Sequence, residues 1–162
     1  MVKSKNLLVL GANGFLGKNL VSKLNGTINY KVYQLNGKND LDLTKDDLFN
    51  EYLSKNKIDY IINCAAFVGG IAYGYDYPAE LLMKNTIMAS NIYQSAHENG
   101  IKLLVNPISN CAYPKNQNLY EEENFWDGAP HESVFEYGFS KKYMMRSLII
   151  PSMLKFGVLG NL

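Results

Sequence analysis

Short apolar runs alternate along the chain with longer stretches in which apolar residues recur every three or four positions. Residues 6–10 form an almost continuous apolar run that ends at Gly11, a pattern typical of a strand buried on both faces of a parallel sheet. Five apolar residues then follow at helical spacing: Phe15, Leu16, Leu20, Val21 and Leu24. Asn25 and Gly26 provide a helix C-cap signal. The pattern predicts a strand, a tight turn and a helix.

The same alternation continues along the rest of the chain. Further strands are predicted over residues 31–35, 41–43, 58–64 and 102–105. Helices are predicted from Thr44, as N-cap, to about Asn56, from Pro78 to about Asn99, and from about Gly138 until Pro151 ends or kinks the last one. Residues 69–77 and 114–133 show neither period and are predicted to be loops. Strands alternating with helices predict an α/β fold with a doubly wound parallel sheet.

Composition narrows the class of protein. Sixteen Lys and Arg against fifteen Asp and Glu give a net charge of +1 over 162 residues, which offers no basic surface for nucleic acid. A hydrophobic fraction of 47% suits a globular core, and no apolar run approaches the roughly 18 residues of a membrane span. The two cysteines and two histidines lack the spacing of a metal site. We expect a cytoplasmic globular protein without nucleic-acid, membrane or metal partners.

A GxxGxxG motif joins the first predicted strand to the first predicted helix. In this position the first glycine permits a tight turn, the second lets the backbone approach a pyrophosphate, and the third allows close packing of helix on strand. The motif spacing resembles that of the short-chain dehydrogenase/reductase superfamily. We therefore expect a dinucleotide to contact Gly11, Asn13, Gly14, Phe15, Leu16 and Gly17.

The segment after the second predicted strand bears on which dinucleotide binds. NAD sites usually carry an acidic residue at the end of this strand, and no carboxylate precedes Asp40 here. Lys38, together with Asn13, is placed to meet a 2'-phosphate, although a solvated loop lysine is the alternative. Asp42 and Leu43 lie where superfamily members commonly contact adenine. We expect NADP rather than NAD as the cofactor.

Four residues are candidates for catalysis. Tyr137 and Lys141 are four positions apart at the start of a predicted helix and share one face. A free phenol has a pKa of about 10, so proton transfer near neutral pH calls for a cation such as Lys141 beside it. Ser109 follows the last predicted strand and is placed to hydrogen-bond a substrate carbonyl. In extended backbone, the Cys111 side chain would point to the same side as that of Ser109. Cys111 is a candidate base for removing a proton from a carbon next to a carbonyl, and the alternative is a small side chain that only packs in the core.

Several segments resemble the GDP-L-fucose synthase family of extended short-chain dehydrogenase/reductases. They are CAAFVGGI at residues 64–71, Pro78, Asn85, SNCAYPK at residues 109–115, and the YxxxK of Tyr137 and Lys141. The resemblance implies a Rossmann fold, epimerisation of a GDP-linked 4-keto-6-deoxy sugar at C3 and C5, reduction at C4 with NADPH, and a homodimer. It assigns Ser109, Tyr137 and Lys141 to reduction, Cys111 to epimerisation, and Ala65 and Ala66 to the cofactor. Asn110 departs from the family, which usually has a second serine there.

Members of that family have about twice this length. We therefore expect residues 1–162 to be the NAD(P)-binding Rossmann domain, lacking the C-terminal substrate domain, as a truncated gene product or a fragment. Two alternatives stay open. One is a reductase or epimerase of another GDP-linked 4-keto sugar, such as a heptose. The other is a non-catalytic dinucleotide-binding or dimerisation remnant.

Overall fold

The structure, a computed structural model, describes residues 4–148. Its helices and strands, in chain order, are β1 (Lys5–Leu10), α1 (Phe15–Leu24), β2 (Tyr30–Leu35), α2 (Asp46–Asn56), β3 (Tyr60–Asn63), α3 (Ile71–Asp76), α4 (Pro78–Glu98), β4 (Leu103–Val105) and α5 (Phe135–Leu148). Short 3-10 turns lie at Asn110–Ala112, Glu122–Asn124 and Glu132–Val134. The described residues form two compact units, the first containing residues 4–66 and 90–107 and the second residues 67–89 and 108–148.

The first unit contains a four-stranded, fully parallel sheet with the strand order β2-β1-β3-β4. Leu8 of β1 pairs with Tyr33 on one side and with Ile61 on the other. Leu8, Val9 and Leu10 have no exposed surface, as expected for a central strand covered on both faces. The chain runs from β1 to one neighbour and later to strands on the opposite side. This order confirms the predicted doubly wound parallel sheet.

Most of the predicted elements of the first unit are present, with two corrections. Residues 41–43 do not form a strand, because the Asp42 carboxylate accepts bonds from the Thr44 amide and hydroxyl, at 3.1 and 2.7 Å, and closes a turn. The hydrogen bond to Asp42 also engages the hydroxyl of Thr44, the residue that we expected to cap α2. The helix begins at Asp46 instead, with Lys45 at its N-cap and no side-chain capping bond.

The second unit departs from the sequence prediction at residues 69–77, where a helix, α3, replaces most of the predicted loop. Aromatic packing stabilises this helix, although its sequence has no helical period of apolar residues. The ring of Tyr73 packs edge-on against Phe67, 5.8 Å between centroids, and its hydroxyl donates to Glu80 at 2.5 Å. The Glu80 hydrogen bond raises the pKa of Tyr73 to about 12. Helix α5 begins at Phe135, three residues earlier than predicted, and its predicted end at Pro151 lies outside the described residues.

Lys142 fastens the long loop before α5 to that helix. Its buried ammonium donates to the carbonyl of Phe125 and, at 2.9 Å, to that of Gly128. The ammonium also lies 4.9 Å from the centroid of the Phe125 ring, a cation–π contact. Burial lowers the pKa of Lys142, and Asp127 opposes that effect. The predicted surface loop is therefore held in place by a buried charge.

Membranes and metal ions are two possible partners of residues 4–148. None of the helices described there has the combination of length and apolar character needed to cross a bilayer. The same residues contain no group of three or more His, Cys, Asp or Glu side chains arranged to hold a metal ion.

Candidate functional site

The glycine-rich turn of the first unit brings the end of β1 against the chain that follows β3. Gly11 has a φ of +69°, the left-handed conformation that favours glycine, and a Cβ there would lie 2.8 Å from the backbone of Ala65. A Cβ on Gly17 would lie 2.2 Å from the Gly11 carbonyl oxygen. Both positions therefore exclude any larger residue. The left-handed φ of Gly11 matches the tight turn predicted for the first glycine, and the close approach at Gly17 matches the helix packing predicted for the third.

The start of α1 presents backbone amides beside this turn. Gly14 is the N-cap residue, and no side chain caps the helix. Asn13, Gly14, Phe15 and Leu16 are all exposed, Phe15 to 89%. Uncapped amides and the positive end of the helix dipole favour an anionic group such as a pyrophosphate. The residues present thus fit the phosphates of a dinucleotide.

Two buried asparagines, which the sequence analysis did not assign to the site, support the other side of the turn. The Asn63 amide nitrogen donates to Asn106 Oδ1 at 2.6 Å, and Asn63 Oδ1 accepts from the amide of Ala65 at 3.1 Å. Each side chain is 3% exposed. The pair thereby holds Ala65 in place against Gly11, with Ala66 following it. The sequence signal that could have indicated this pair is an asparagine at the end of each of two neighbouring strands, β3 and β4.

The end of β2 carries both a lysine and a carboxylate. Lys38 Nζ lies 3.5 Å from the Asp42 carboxylate. The hydrogen bond from Thr44 lowers the pKa of the Asp42 carboxyl, and Lys38 lowers it further. Asp40 Oδ2 accepts a hydrogen bond from the Asn36 amide at 2.7 Å, so the chain folds back after β2. This turn places a carboxylate at the end of β2, where the sequence alone indicated none. Leu43 is buried, and its carbonyl accepts from Asn91 at 3.0 Å.

In the second unit, Ser109 and Cys111 meet in a tight turn. Ser109 is the N-cap of the 3-10 turn Asn110–Ala112, and its hydroxyl oxygen accepts from the Cys111 amide at 3.2 Å. This turn differs from the extended backbone we had assumed. The two side chains come together through Asn110, whose Oδ1 lies 3.4 Å from Ser109 Oγ and 3.7 Å from Cys111 Sγ.

Tyr137 and Lys141 lie on α5, as their spacing predicted. The Lys141 ammonium is 5.4 Å from the centroid of the Tyr137 ring, and the lysine side chain is buried. Burial raises the pKa of the Tyr137 phenol, and the neighbouring Cys111 raises it further. The phenol therefore keeps its proton at neutral pH, which differs from the lowered pKa that we expected beside Lys141. The next residue, Gly138, lies against the Cys111 carbonyl, so Tyr137 is beside the turn that carries Ser109.

Gly138 allows α5 to approach that turn closely, a role the sequence analysis missed. A Cβ at this position would lie 2.1 Å from the Cys111 carbonyl oxygen and 2.9 Å from Cβ of Pro130. Only a glycine leaves enough space between helix and turn. A glycine directly after the tyrosine, inside a helix, was the signal that could have indicated it.

A small cavity opens beside Tyr137 in the same unit. Its volume is about 80 Å³, and its walls include Val68, Gly69, Leu81 and Val134. Asn85 is 1% exposed. Its side chain donates to the Phe67 carbonyl at 2.8 Å and accepts from the Phe67 amide at 3.0 Å, and so holds the segment that leads into Val68 and Gly69. The cavity therefore places largely apolar walls next to a proton donor.

Comparisons with known proteins identify the family of the chain. The profile of the NAD dependent epimerase/dehydratase family matches residues 7–150. The chain is 29% identical over 140 residues to a probable GDP-L-fucose synthase of Drosophila melanogaster, covering 85% of this chain and 44% of that protein. It is 35% identical over 113 residues to GDP-L-fucose synthase 1 of Arabidopsis thaliana, covering 70% of this chain and 35% of that protein.

A similar fold occurs in a GDP-D-glycero-L-gluco-heptose synthase from Campylobacter jejuni, solved in the presence of NADPH. The two structures superpose with a TM-score of 0.84 at 22% identity, over 98% of this chain and 47% of that one. The chain thus spans less than half the length of each of these three proteins.

Proposed function

Since the chain belongs to the NAD dependent epimerase/dehydratase family, we propose that it carries the dinucleotide site and catalytic residues of a GDP-4-keto-6-deoxy sugar epimerase/reductase of the GDP-L-fucose synthase type. The observation that carries the proposal is the meeting of Ser109, Cys111 and Tyr137 in one unit, through the turn and the close approach of Gly138. The Drosophila and Arabidopsis relatives, both named as GDP-L-fucose synthases, support this choice of reaction.

For the reductive step, a nicotinamide dinucleotide supplies the hydride when it is bound. Gly11, Gly14 and Gly17 shape the turn that would hold its pyrophosphate, and the start of α1 provides amides for it. The Ser109 hydroxyl donates a hydrogen bond to the ketone oxygen at C4 and stabilises the alkoxide that develops there. Tyr137, kept protonated by burial, then protonates that oxygen. Lys141 offsets the negative charge left on the phenol and, as in the superfamily, would hold the nicotinamide ribose.

For epimerisation, Cys111 exchanges protons at C3 and C5, the carbons on either side of the ketone. Its thiolate takes a proton from carbon, and the electron pair moves into the ketone as an enolate. The thiol formed stands on the first face, so inversion needs a second acid, such as a water molecule, to protonate the carbon from the opposite face. Half-burial of Cys111 leaves the sulfur accessible to a substrate. Proton transfer needs a positioned base of suitable basicity and no further cofactor.

The direct test is incubation of the protein with GDP-4-keto-6-deoxymannose and NADPH, followed by mass spectrometry and NMR of the sugar. We expect a reduced sugar inverted at C3 and C5. Unchanged sugar, with no deuterium taken up from D2O, would reject the proposal.

A second substrate class is supported by the fold shared with the Campylobacter jejuni heptose synthase. Turnover of a GDP-linked 4-keto heptose, but not of the 6-deoxy hexose, would favour that reading. Binding of NADPH without turnover of either sugar would favour the non-catalytic alternative.

We expect the protein to bind NADPH more tightly than NADH, in keeping with the NADPH present in that heptose synthase structure. The Lys38 ammonium stands at the end of β2 and is 81% exposed. Lys38→Ala should weaken NADPH about three- to fivefold, since an exposed charge pair is worth up to about 1 kcal/mol, and leave NADH unchanged. Titration of nicotinamide fluorescence measures both.

Lys23→Ala is the matched control for Lys38→Ala, since it removes the same charge from the last turn of α1. Tighter binding of NADH by the unaltered protein would reverse the assignment and point to Asp40 as the ribose ligand. Equal weakening of both nucleotides by Lys38→Ala would show that the lysine does not read the 2'-phosphate.

We also propose that the protein is a homodimer. Phe135, Phe139 and Tyr143 are exposed at successive turns of α5, and the first two rings stack with centroids 5.9 Å apart. An apolar stripe of this kind is characteristic of an interface. Light scattering at micromolar concentration should give twice the 18.3 kDa chain mass, and Phe139→Glu should give the monomer. A monomer mass for the unaltered protein would contradict the proposal, and Leu119→Glu, at an exposed loop position, is the control.

A further inference from the structure

The side chain of Asn110 lies between the two candidate catalytic groups of the Ser109–Cys111 turn. Its Oδ1 is the acceptor for the Ser109 hydroxyl, at 3.4 Å, and for the Cys111 thiol, at 3.7 Å. We propose that Asn110 is a positioning residue, which ties the hydroxyl used in reduction to the thiol used in epimerisation.

The backbone of the turn is held independently of this side chain. The Ala112 amide donates to the Ser109 carbonyl and the Tyr113 amide to the Asn110 carbonyl, both at 3.0 Å. Gly138 of α5 packs against the Cys111 carbonyl. Asn110 itself is exposed, so its carboxamide is not needed to fill space. Its role is therefore carried by the two polar contacts.

A carboxamide combines an acceptor oxygen with a donor NH2 group, and this pairing suits a residue that serves a hydroxyl and a thiol. The oxygen accepts a hydrogen bond from the hydroxyl and from the thiol. Rotation of the exposed carboxamide offers the NH2 group to a thiolate. On α5, the phenol of Tyr137 interacts electrostatically with Cys111. Asn110 would thus hold the Ser109 hydroxyl and the Cys111 thiol side by side until a substrate competes for them, a consequence that rests on the proposed function.

Alkylation of Cys111 by iodoacetamide tests the contacts without any substrate. The rate is measured against pH by peptide mass spectrometry, which counts Cys64 separately. Asn110→Ala should speed alkylation of Cys111 at pH 7 about threefold, because a weak hydrogen bond to the neutral thiol is lost. Asn110→Asp should slow it about tenfold at low salt, because a negative charge replaces the amide beside the sulfur. The two substitutions should therefore change the alkylation rate in opposite directions.

Three further variants make the test specific. Asn118→Asp adds the same charge elsewhere in the loop and should leave the rate unchanged. Asn110→Ser keeps a polar group and should give a rate between those of the native protein and Asn110→Ala. Ser109→Ala removes the second donor to Oδ1, so the thiol bond strengthens and alkylation slows about twofold. That effect should vanish when Ser109→Ala is combined with Asn110→Ala.

Opposite effects of Asn110→Ala and Asn110→Asp, with loss of the Ser109 effect in the double variant, would support the proposal. A rate unchanged by Asn110→Ala would overturn it. Faster alkylation in both Asn110→Ala and Asn110→Asp, or a changed circular dichroism spectrum in both, would indicate that Asn110 only stabilises the turn. If the alkylation results hold but no sugar is turned over, the proposed function fails while the role of Asn110 stands.

Discussion

Tyr137→Phe is expected to reduce the rate of sugar reduction by about a hundredfold to ten-thousandfold, the usual cost of losing a general acid. The substitution removes the proton that the C4 alkoxide needs and leaves the buried ring in place. Proton exchange next to the ketone should survive, because it depends on Cys111. Mass spectrometry in D2O separates the two steps, since it shows deuterium in an unreduced 4-keto sugar. Tyr143→Phe, on an exposed position of the same helix, is the control.

Cys111→Ser should have the complementary effect, slowing deuterium exchange by a factor in the same range. A serine hydroxyl is far less acidic than a thiol, so little of it is ionised to take a proton from carbon. Reduction without epimerisation would then yield a sugar with unchanged C3 and C5. If Cys111→Ser leaves both exchange and product stereochemistry unaltered, the protein is better described as a plain 4-keto reductase.

Gly138→Ala should destabilise the second unit by about 1–3 kcal/mol, the usual cost of overpacking. The added Cβ would stand 2.1 Å from the Cys111 carbonyl oxygen, a backbone atom held in a tight turn, so α5 must move away. Movement of α5 separates Tyr137 from Cys111 and should therefore reduce activity as well. Urea unfolding followed by the fluorescence of Trp126, the single tryptophan, measures the loss of stability.

Gly74→Ala is the matched control for that substitution. It lies in helix α3 of the same unit, and its added Cβ would come no closer than 3.7 Å to a neighbouring atom, the Ser133 carbonyl oxygen. We expect Gly74→Ala to leave stability unchanged or to raise it by up to about 1 kcal/mol, because alanine favours helix. Equal urea midpoints for Gly138→Ala and the native protein would refute the close packing of α5 on the turn.

Sequence patterns predicted the architecture because they depend on neighbours along the chain. An apolar run, a glycine turn and a helical period located β1, the turn and α1, and the alternation of such units predicted the doubly wound sheet. The pattern failed at α3, where packing of Tyr73 on Phe67 stabilises a helix that no apolar period announces. It also failed at Asp42, since a side-chain bond to Thr44 replaced a strand with a turn.

The sequence by itself determined which chemical groups are available: a glycine turn for a dinucleotide, a YxxxK pair, and a serine and a cysteine two residues apart. Only the tertiary structure decided which groups meet. Asp40 returns to the end of β2, Asn63 and Asn106 join across two strands, and Gly138 admits a helix to the carbonyl of Cys111. These contacts join residues up to 43 positions apart, as with Asn63 and Asn106. Local periodicity carries no record of such distances, because they are set by how the folded elements pack.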